Sequence, residues 1–281
     1  MNRSLGVVIT LVWLVAMAAL VRRDVLPYWT AKDAPNQLTR DGRYQCGIAN
    51  SAGKRIGTTF VTTTPGPQLT TVHSATELDL SALASYLPTR GRLLIDTDLT
   101  YEPDGKLFRF AFFLHGAAVP ISVIGERIGH DYACTATIGG TTTVIPLDWR
   151  VSEGLGELLR PFTHLEGLHV GQRWRLRLLD PLAILKGGEI EFKNQLVTVT
   201  GREIIQSRGE PIECFRIETE GAIAWADDTG RVVRQEVLIP LLGKWVLTDE
   251  VFDQASYRAA AATGRAQDPQ SKDEQSPKDH R

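Results

Sequence analysis

The chain has 281 residues, 43% of them hydrophobic, with 31 basic against 33 acidic side chains and a formal net charge of −2. That length admits one large β domain or two small ones, and the apolar fraction is enough for a proper core. A charge so near balance supplies no global field for nucleic acid or acidic substrates.

Leu5 to Val21 read LGVVITLVWLVAMAALV without a charge. As a helix rising about 1.5 Å per residue, the run spans about 25 Å, the low end of what crosses a bilayer. Arg3 precedes it, and Arg22 and Arg23 come directly after. Two readings stand. An uncleaved signal-anchor over residues 1–23 is favoured, because the run stays apolar past its small-x-small site and ends on two arginines. A signal peptide cleaved near Ala16-Met17-Ala18 is the other. Either way the C-terminal domain is expected outside the cytoplasm, and in the favoured reading the chain is a single-pass membrane protein. The flanking charges are nearly balanced, so that orientation rests on the β character of the rest of the chain.

Residues 24–40, with Pro27 and Pro35, read as a linker. A β domain is expected over 41–262. Its clearest signal is Gly91 to Leu114. Leu93, Ile95, Thr97, Leu99 and Tyr101 share one face, and Asp96, Asp98 and Thr100 the other, the period of a half-buried strand. Pro103-Asp104-Gly105 is a turn, and Phe108, Phe110 and Phe112 alternate with Arg109 and Ala111 on the way back. Val119 to Ile124, Tyr132 to Ile138 and, after Gly139-Gly140, Thr141 to Ile145 continue the pattern. Ser152 as N-cap and Pro161 as terminator bracket one short helix. Strand signals resume with Arg173, Arg175 and Arg177 alternating with Trp174, Leu176 and Leu178. They run on through Ile190 to Thr200, Ile212 to Thr219, Ala222 to Ala226 and Val232 to Leu238, the last two joined by Asp227-Asp228-Thr229-Gly230. Residues 263–281 lack apolar anchors and are expected to be disordered. The fold class is therefore mainly β: a large curved antiparallel meander, as a half-barrel or a two-sheet domain, with one short helix and an N-terminal transmembrane helix.

No chemical constellation stands out. Cys46, Cys134 and Cys214 are widely spaced without a CxxC; export would allow one disulfide, and the plainer reading is three buried thiols. His164 and His169 lack a completing ligand, and Gly154-x-Gly156 lacks the rest of a phosphate fingerprint. The Arg173–Arg175–Arg177 stripe reads as a solvated face that discourages edge pairing, with anionic lipid or a partner as the rival. Asp96 and Asp98 read as solvated strand positions rather than an acid–base pair. No catalytic residue, metal site or cofactor is assigned.

Several motifs carry a resemblance. Tyr44-Gln45-Cys46-Gly47-Ile48 and then Gly53-Lys54-Arg55-Ile56-Gly57 resembles the opening hairpin of the β domain that precedes the catalytic domain in bacterial transglutaminase-like membrane or exported proteins. Tyr101 to Phe112, Gly167-Leu168-His169-Val170-Gly171 leading into Trp174, Leu179-Asp180-Pro181, and Ala224-Trp225-Ala226-Asp227-Asp228-Thr229-Gly230 through Glu236 are similar to later parts of it. Stand-alone domains of this kind look similar to the half-barrels of periplasmic lipoprotein carriers, a likeness of fold alone. The resemblance implies the accessory module without its enzyme. No catalytic domain is therefore expected after Asp253, and all three cysteines are expected in strand contexts.

The function expected from these observations is a non-catalytic, membrane-tethered module that binds an envelope protein or component, with no nucleic-acid partner. A lipid or acyl-chain carrier is the rival reading, its concave sheet face lined by Phe108, Phe110, Phe112 and Trp174. An enzyme of unidentified type is the third.

Overall fold

The computed structural model describes residues 12–13, 15–17, 19–21, 42–79, 81, 91–116, 120–129, 131–147, 165, 167–179, 192–239 and 243–266. The described part of the N-terminal run is helical. No helix among the described residues is long and apolar enough to cross a membrane. The remainder of that run, the linker and the helix expected after Ser152 lie outside the described residues.

Strands begin with Gly42–Asn50 (β1), Arg55–Pro65 (β2), Thr70–Asp79 (β3), Arg92–Tyr101 (β4) and Leu107–His115 (β5). Ile121–Ile128 (β6), Asp131–Ile138 (β7) and Thr141–Leu147 (β8) complete the first series. The second comprises Arg173–Leu179 (β9), Phe192–Ser207 (β10), Glu210–Thr219 (β11), Ala222–Ala226 (β12), Val232–Ile239 (β13) and Gly243–Glu250 (β14). The run Thr62-Thr63-Thr64 in β2 and Thr141-Thr142-Thr143-Val144-Ile145 in β8 show why: β-branched side chains favour the extended backbone. The turns carry the expected chemistry. Gly105 at φ 81° and Gly230 at φ 84° supply the left-handed residue their hairpins need.

All fourteen described strands form one antiparallel sheet, in the order β8-β7-β6-β5-β4-β3-β2-β1-β14-β13-β12-β11-β10-β9. The expected meander is therefore present in two pieces. β1 to β8 run outward from mid-sheet to one edge; the chain then returns at the opposite edge and β9 to β14 run back. β14 closes the seam against β1, with Cys46 opposite Asp249 and Ile48 opposite Leu247.

Tracing the register across the strands gives the sheet two faces. The inner face carries Trp174, Val197, Ile217, Ala224, Leu247, Ile48, Leu78, Leu93, Leu99 and Phe110. It is organised as three buried clusters. One joins Leu165 to Trp174, Leu176, Val199, Phe215 and Val232. A second sits at the seam around Ile56 and Trp245, and a third around Leu107, Tyr132 and Cys134. Gly125 is glycine because an added Cβ would lie 2.3 Å from the Phe110 ring and 2.8 Å from Cys134 Sγ.

The sheet curls toward this face. Arg208 sits at the β10–β11 turn, three strand spacings from β14, about 14 Å on a flat sheet. Yet its guanidinium lies 2.9 Å from Asp249 Oδ2 and donates to the Glu250 carbonyl at 2.9 Å. Only a bent sheet brings that tip back over β14. Register shifts at Val199/Gly201 on β10 and at Trp225/Ala226 on the intervening β12 supply extra twist.

The outer face is covered in part by a helix over Gln254–Ala266, where the sequence pattern predicts only the end of the β domain and the start of a disordered tail. Asp253 caps it, accepting from the Ala255 amide at 2.9 Å and from Ser256 Oγ at 2.6 Å. The helix is tied down by Asp253 N–H donating to Gln45 Oε1 at 2.7 Å and by Arg43 donating to Gln254 Oε1 at 2.9 Å. Phe60, Ala75, Phe252, Tyr257 and Ala260 form the apolar layer between helix and sheet.

Glu250 staples the seam on the outer face. Arg55 donates to both of its carboxylate oxygens, and Gln45 Nε2 donates at 3.0 Å. Gly47 leaves room for this ion pair: a Cβ there would lie 2.2 Å from Glu250 Oε1. The Arg55 hydrogen bond, opposed by burial and aided by Gln45, holds the Glu250 carboxyl below its ordinary pKa of 4.5. Its contribution to stability is therefore complete above that value and is lost as pH falls through the lower folded value. Glu250→Gln should abolish this part of the acid-side loss, at most about 1 kcal/mol for a pair with one half-exposed partner. Urea midpoints of the two proteins at pH 7 and pH 3 measure it. Equal losses in both would show that the pair contributes nothing.

Candidate functional site

The four aromatic residues singled out from sequence occupy two places. Phe110 and Phe112 lie on the inner face of β5, opposite Leu99 and Thr97. Phe110 is buried in the third cluster, and Phe112 is half-buried. Phe108 is the extra residue of a bulge between Leu107 and Arg109, also half-buried. Trp174 shares the inner face but lies near the other edge, fully buried in the first cluster beside Leu165. The structure thus puts Phe110 and Phe112 on one face of β5, leaves Phe108 at the bulge, and sets Trp174 apart from them.

The inner face is filled unevenly. At the β9–β13 side its residues are almost fully buried, and Leu165 reaches over them, its amide donating to the Gly230 carbonyl at 2.8 Å. At the β5–β7 side Phe112, Leu114, Ile121 and Val123 are only half-buried, and Ile138 is 53% exposed. Between these regions stand hydroxyls: Thr59 and Thr76, hydrogen-bonded at 2.7 Å, with Ser74 and Thr97 next to them in register. The arrangement is a partly exposed apolar strip with a few hydroxyls beside it.

A polar cluster that sequence spacing does not assemble lies on the outer face. Asp98 faces His73 directly across β3 and β4, and Asp96 lies two residues along. His73 Nδ1 is 2.8 Å from Asp98 Oδ1 and 3.4 Å from Asp96 Oδ1. Asp96 is 5% exposed and His73 8%, whereas the Asp98 side chain is half exposed. The expectation of two solvated aspartates therefore fails for Asp96. The cause is the C-terminal helix: the Tyr257 ring meets His73 edge-on with centroids 6.0 Å apart, and its hydroxyl pairs with Thr62 Oγ1 at 3.3 Å. Strand alternation puts both acids on the polar face. The signal for a cover on that face is Asp253 ahead of an alanine-rich stretch.

The remaining sequence features are scattered. Arg173 and Arg175 are exposed on the outer face of edge strand β9, opposite Thr198 and Leu196; the side chain of Arg177 lies outside the described residues, as does His164. His169 is exposed. No disulfide joins the cysteines, all three of which are buried. Cys46 and Cys134 lie on the inner face and Cys214 on the outer. Burial pushes the thiols of Cys134 and Cys214 up to about 11. At pH 8 only about a thousandth of each is thiolate, the nucleophilic form. Iodoacetamide should leave both unlabelled in the native protein and modify them in guanidinium at about 6 M, well past the midpoint of an ordinary domain, as read by peptide mass mapping. Labelling of either at the rate of a free thiol would show that its strand opens readily.

Compared with protein-family models, with curated proteins and with solved structures, the chain matches none.

Proposed function

We propose that the protein is a non-catalytic module, tethered at its N-terminal apolar segment with the sheet outside the cytoplasm, that binds an envelope lipid through an acyl chain on its inner face. The observation that carries this reading is the uneven filling of that face. A bent sheet with a second side chain layer everywhere would be a closed core. Here the β5–β7 side keeps Phe112, Leu114, Ile121, Val123 and Ile138 partly open beside a buried apolar cluster. A methylene chain laid there gains about 25 cal/mol for each Å² of apolar surface removed from water. The hydroxyls of Ser74 and Thr97 lie close enough in register to Phe112 to meet a headgroup or ester. The motif-level likeness to accessory domains of exported proteins agrees with the proposed location.

A protein partner is the second reading, favoured by one feature. Edge strand β8 has no charged residue from Thr141 to Leu147, and Val144 is 75% exposed on its outer face. Among the described residues this edge is uncharged and favours strand addition as far as Pro146, which has no N–H to offer an added strand.

Titration with a fluorescent fatty acid separates the two. The full chain, stripped of bound lipid, should saturate with about one probe per chain at a Kd of about 10 µM or below. Phe112→Asp should weaken binding at least tenfold, and Val144→Asp should leave it unchanged. Absence of saturation, or equal affinity in Phe112→Asp, would remove the acyl-chain reading.

A further inference from the structure

The outer face bears a second candidate site that owes nothing to the apolar strip on the other side. We infer that His73, Asp96 and Asp98 bind one divalent transition-metal ion, with zinc the best chemical fit.

Three observations support it. The first is donor chemistry. One imidazole nitrogen and two carboxylate oxygens form a mixed set that suits zinc and its neighbours, whereas magnesium and calcium prefer oxygen alone. The second is spacing. The donor atoms all lie within 4.8 Å of one another, and two of the separations are 2.8 and 3.4 Å. Ligands at about 2.1 Å from a tetrahedral ion stand roughly 3.4 Å apart, so small side chain rotations suffice. The third is electrostatic. Asp96 and Asp98 project from the same side of β4, and Asp96 is buried. Two carboxylates that close, one withdrawn from water, favour a cation between them.

The surroundings fit a bound ion. His73 and Asp98 sit at a direct cross-strand pair in mid-strand, so the backbone that aims them is fixed by ladder hydrogen bonds on both sides. Tyr257 packs against the imidazole and limits its rotation. The half-exposed Asp98 marks the solvent side, through which the ion enters and where water completes its coordination. Binding requires that the hydrogen shared by Nδ1 and Asp98 leave that nitrogen, for Nε2 or for solvent. The ion would also brace the C-terminal helix against β3 and β4, since Tyr257 rests on one of its ligands.

The test uses full-length protein made without a histidine tag and cleared of metal by a chelator. Competition with a chromophoric zinc chelator should give one zinc per chain with micromolar or tighter affinity. His73→Gln and Asp96→Asn should each lower that affinity by at least about tenfold, comparable to the loss from disturbing a metal's outer shell alone. His115→Gln, on the same face of the next strand but outside the cluster, should not change it. Should either variant fail to fold, zinc-edge X-ray absorption of the wild type decides. One imidazole with oxygen neighbours at about 2.0–2.1 Å and no sulfur is the expected first shell. Sulfur in that shell, no stoichiometric zinc, unchanged affinity in folded His73→Gln, or displacement of zinc by equimolar calcium would each overturn the assignment.

Discussion

Trp174→Ala should destabilise the domain by about 3–5 kcal/mol, the range for removing a buried tryptophan, whereas Trp174→Phe should cost no more than about 1.5 kcal/mol, the usual ceiling for an apolar swap that keeps most of the volume. The indole is 1% exposed and packs with Leu176, Val197, Phe215 and Ile217 under Leu165. Truncation leaves a cavity that a ladder-bonded sheet cannot collapse to fill. Phenylalanine keeps most of the apolar volume. It also removes the buried indole N–H, which has no hydrogen-bond partner among the described residues and would otherwise incur a desolvation penalty of about 1–3 kcal/mol. Guanidinium unfolding of the three proteins at neutral pH measures both differences. A loss in Trp174→Phe equal to that in Trp174→Ala would mean that the N–H is satisfied and that shape matters more than volume.

Asp249→Ala should cost about 3 kcal/mol and lower the midpoint of thermal unfolding by roughly 6–12 °C, at about 2–4 °C per kcal/mol for a domain of this size. Its carboxylate is 1% exposed on the inner face and pairs with both Arg208 and Arg231. Without it two cations are left facing the apolar side of the sheet. Each arginine keeps about a third or more of its surface in water, which holds the loss near the lower end of the range for broken buried pairs. The double variant Arg208→Met/Asp249→Leu should recover part of it. The same change tests the curl, because Arg208 reaches Asp249 only if the β10–β11 tip bends over β14. If Asp249→Ala and Arg208→Ala prove additive, that contact does not exist in solution.

Much of the sheet was legible in the sequence, because its signals are local. The alternation of Leu93, Ile95, Thr97, Leu99 and Tyr101 with Asp96, Asp98 and Thr100 gives the two faces of β4 as the structure has them. Asp227 to Gly230 closes its hairpin, with the Asp227 carboxylate accepting from the Thr229 and Arg231 amides. Strand order beyond neighbouring hairpins was not legible. Nothing in the pattern of β9 says that it starts a new meander at the far edge, or that β14 returns to β1, since periodicity constrains which face a residue takes and not which strand lies beside it.

The sites divide along the same line. Phe110 and Phe112 could be placed on an apolar face from alternation alone. Trp174 could be placed on one as well, but not at a distance from β5. His73 and Asp98 stand 25 residues apart, yet pairing them required the register of β3 on β4, which the loop between them conceals. The burial of Asp96 depended further on a helix joining from the far end of the chain. Ser256, Tyr257 and the alanines of that helix carry no amphipathic stripe broad enough to announce where it docks.

The ligand proposed for the inner face is an acyl chain. The most direct measurement is mass spectrometry of an organic extract of full-length protein purified from the cells that make it, in a detergent that bears no acyl chain. A defined acyl lipid near one per chain is expected in the wild type, reduced at least tenfold in folded Phe112→Asp. A wild-type extract with no lipid above the level of an unrelated membrane protein prepared in parallel would contradict it.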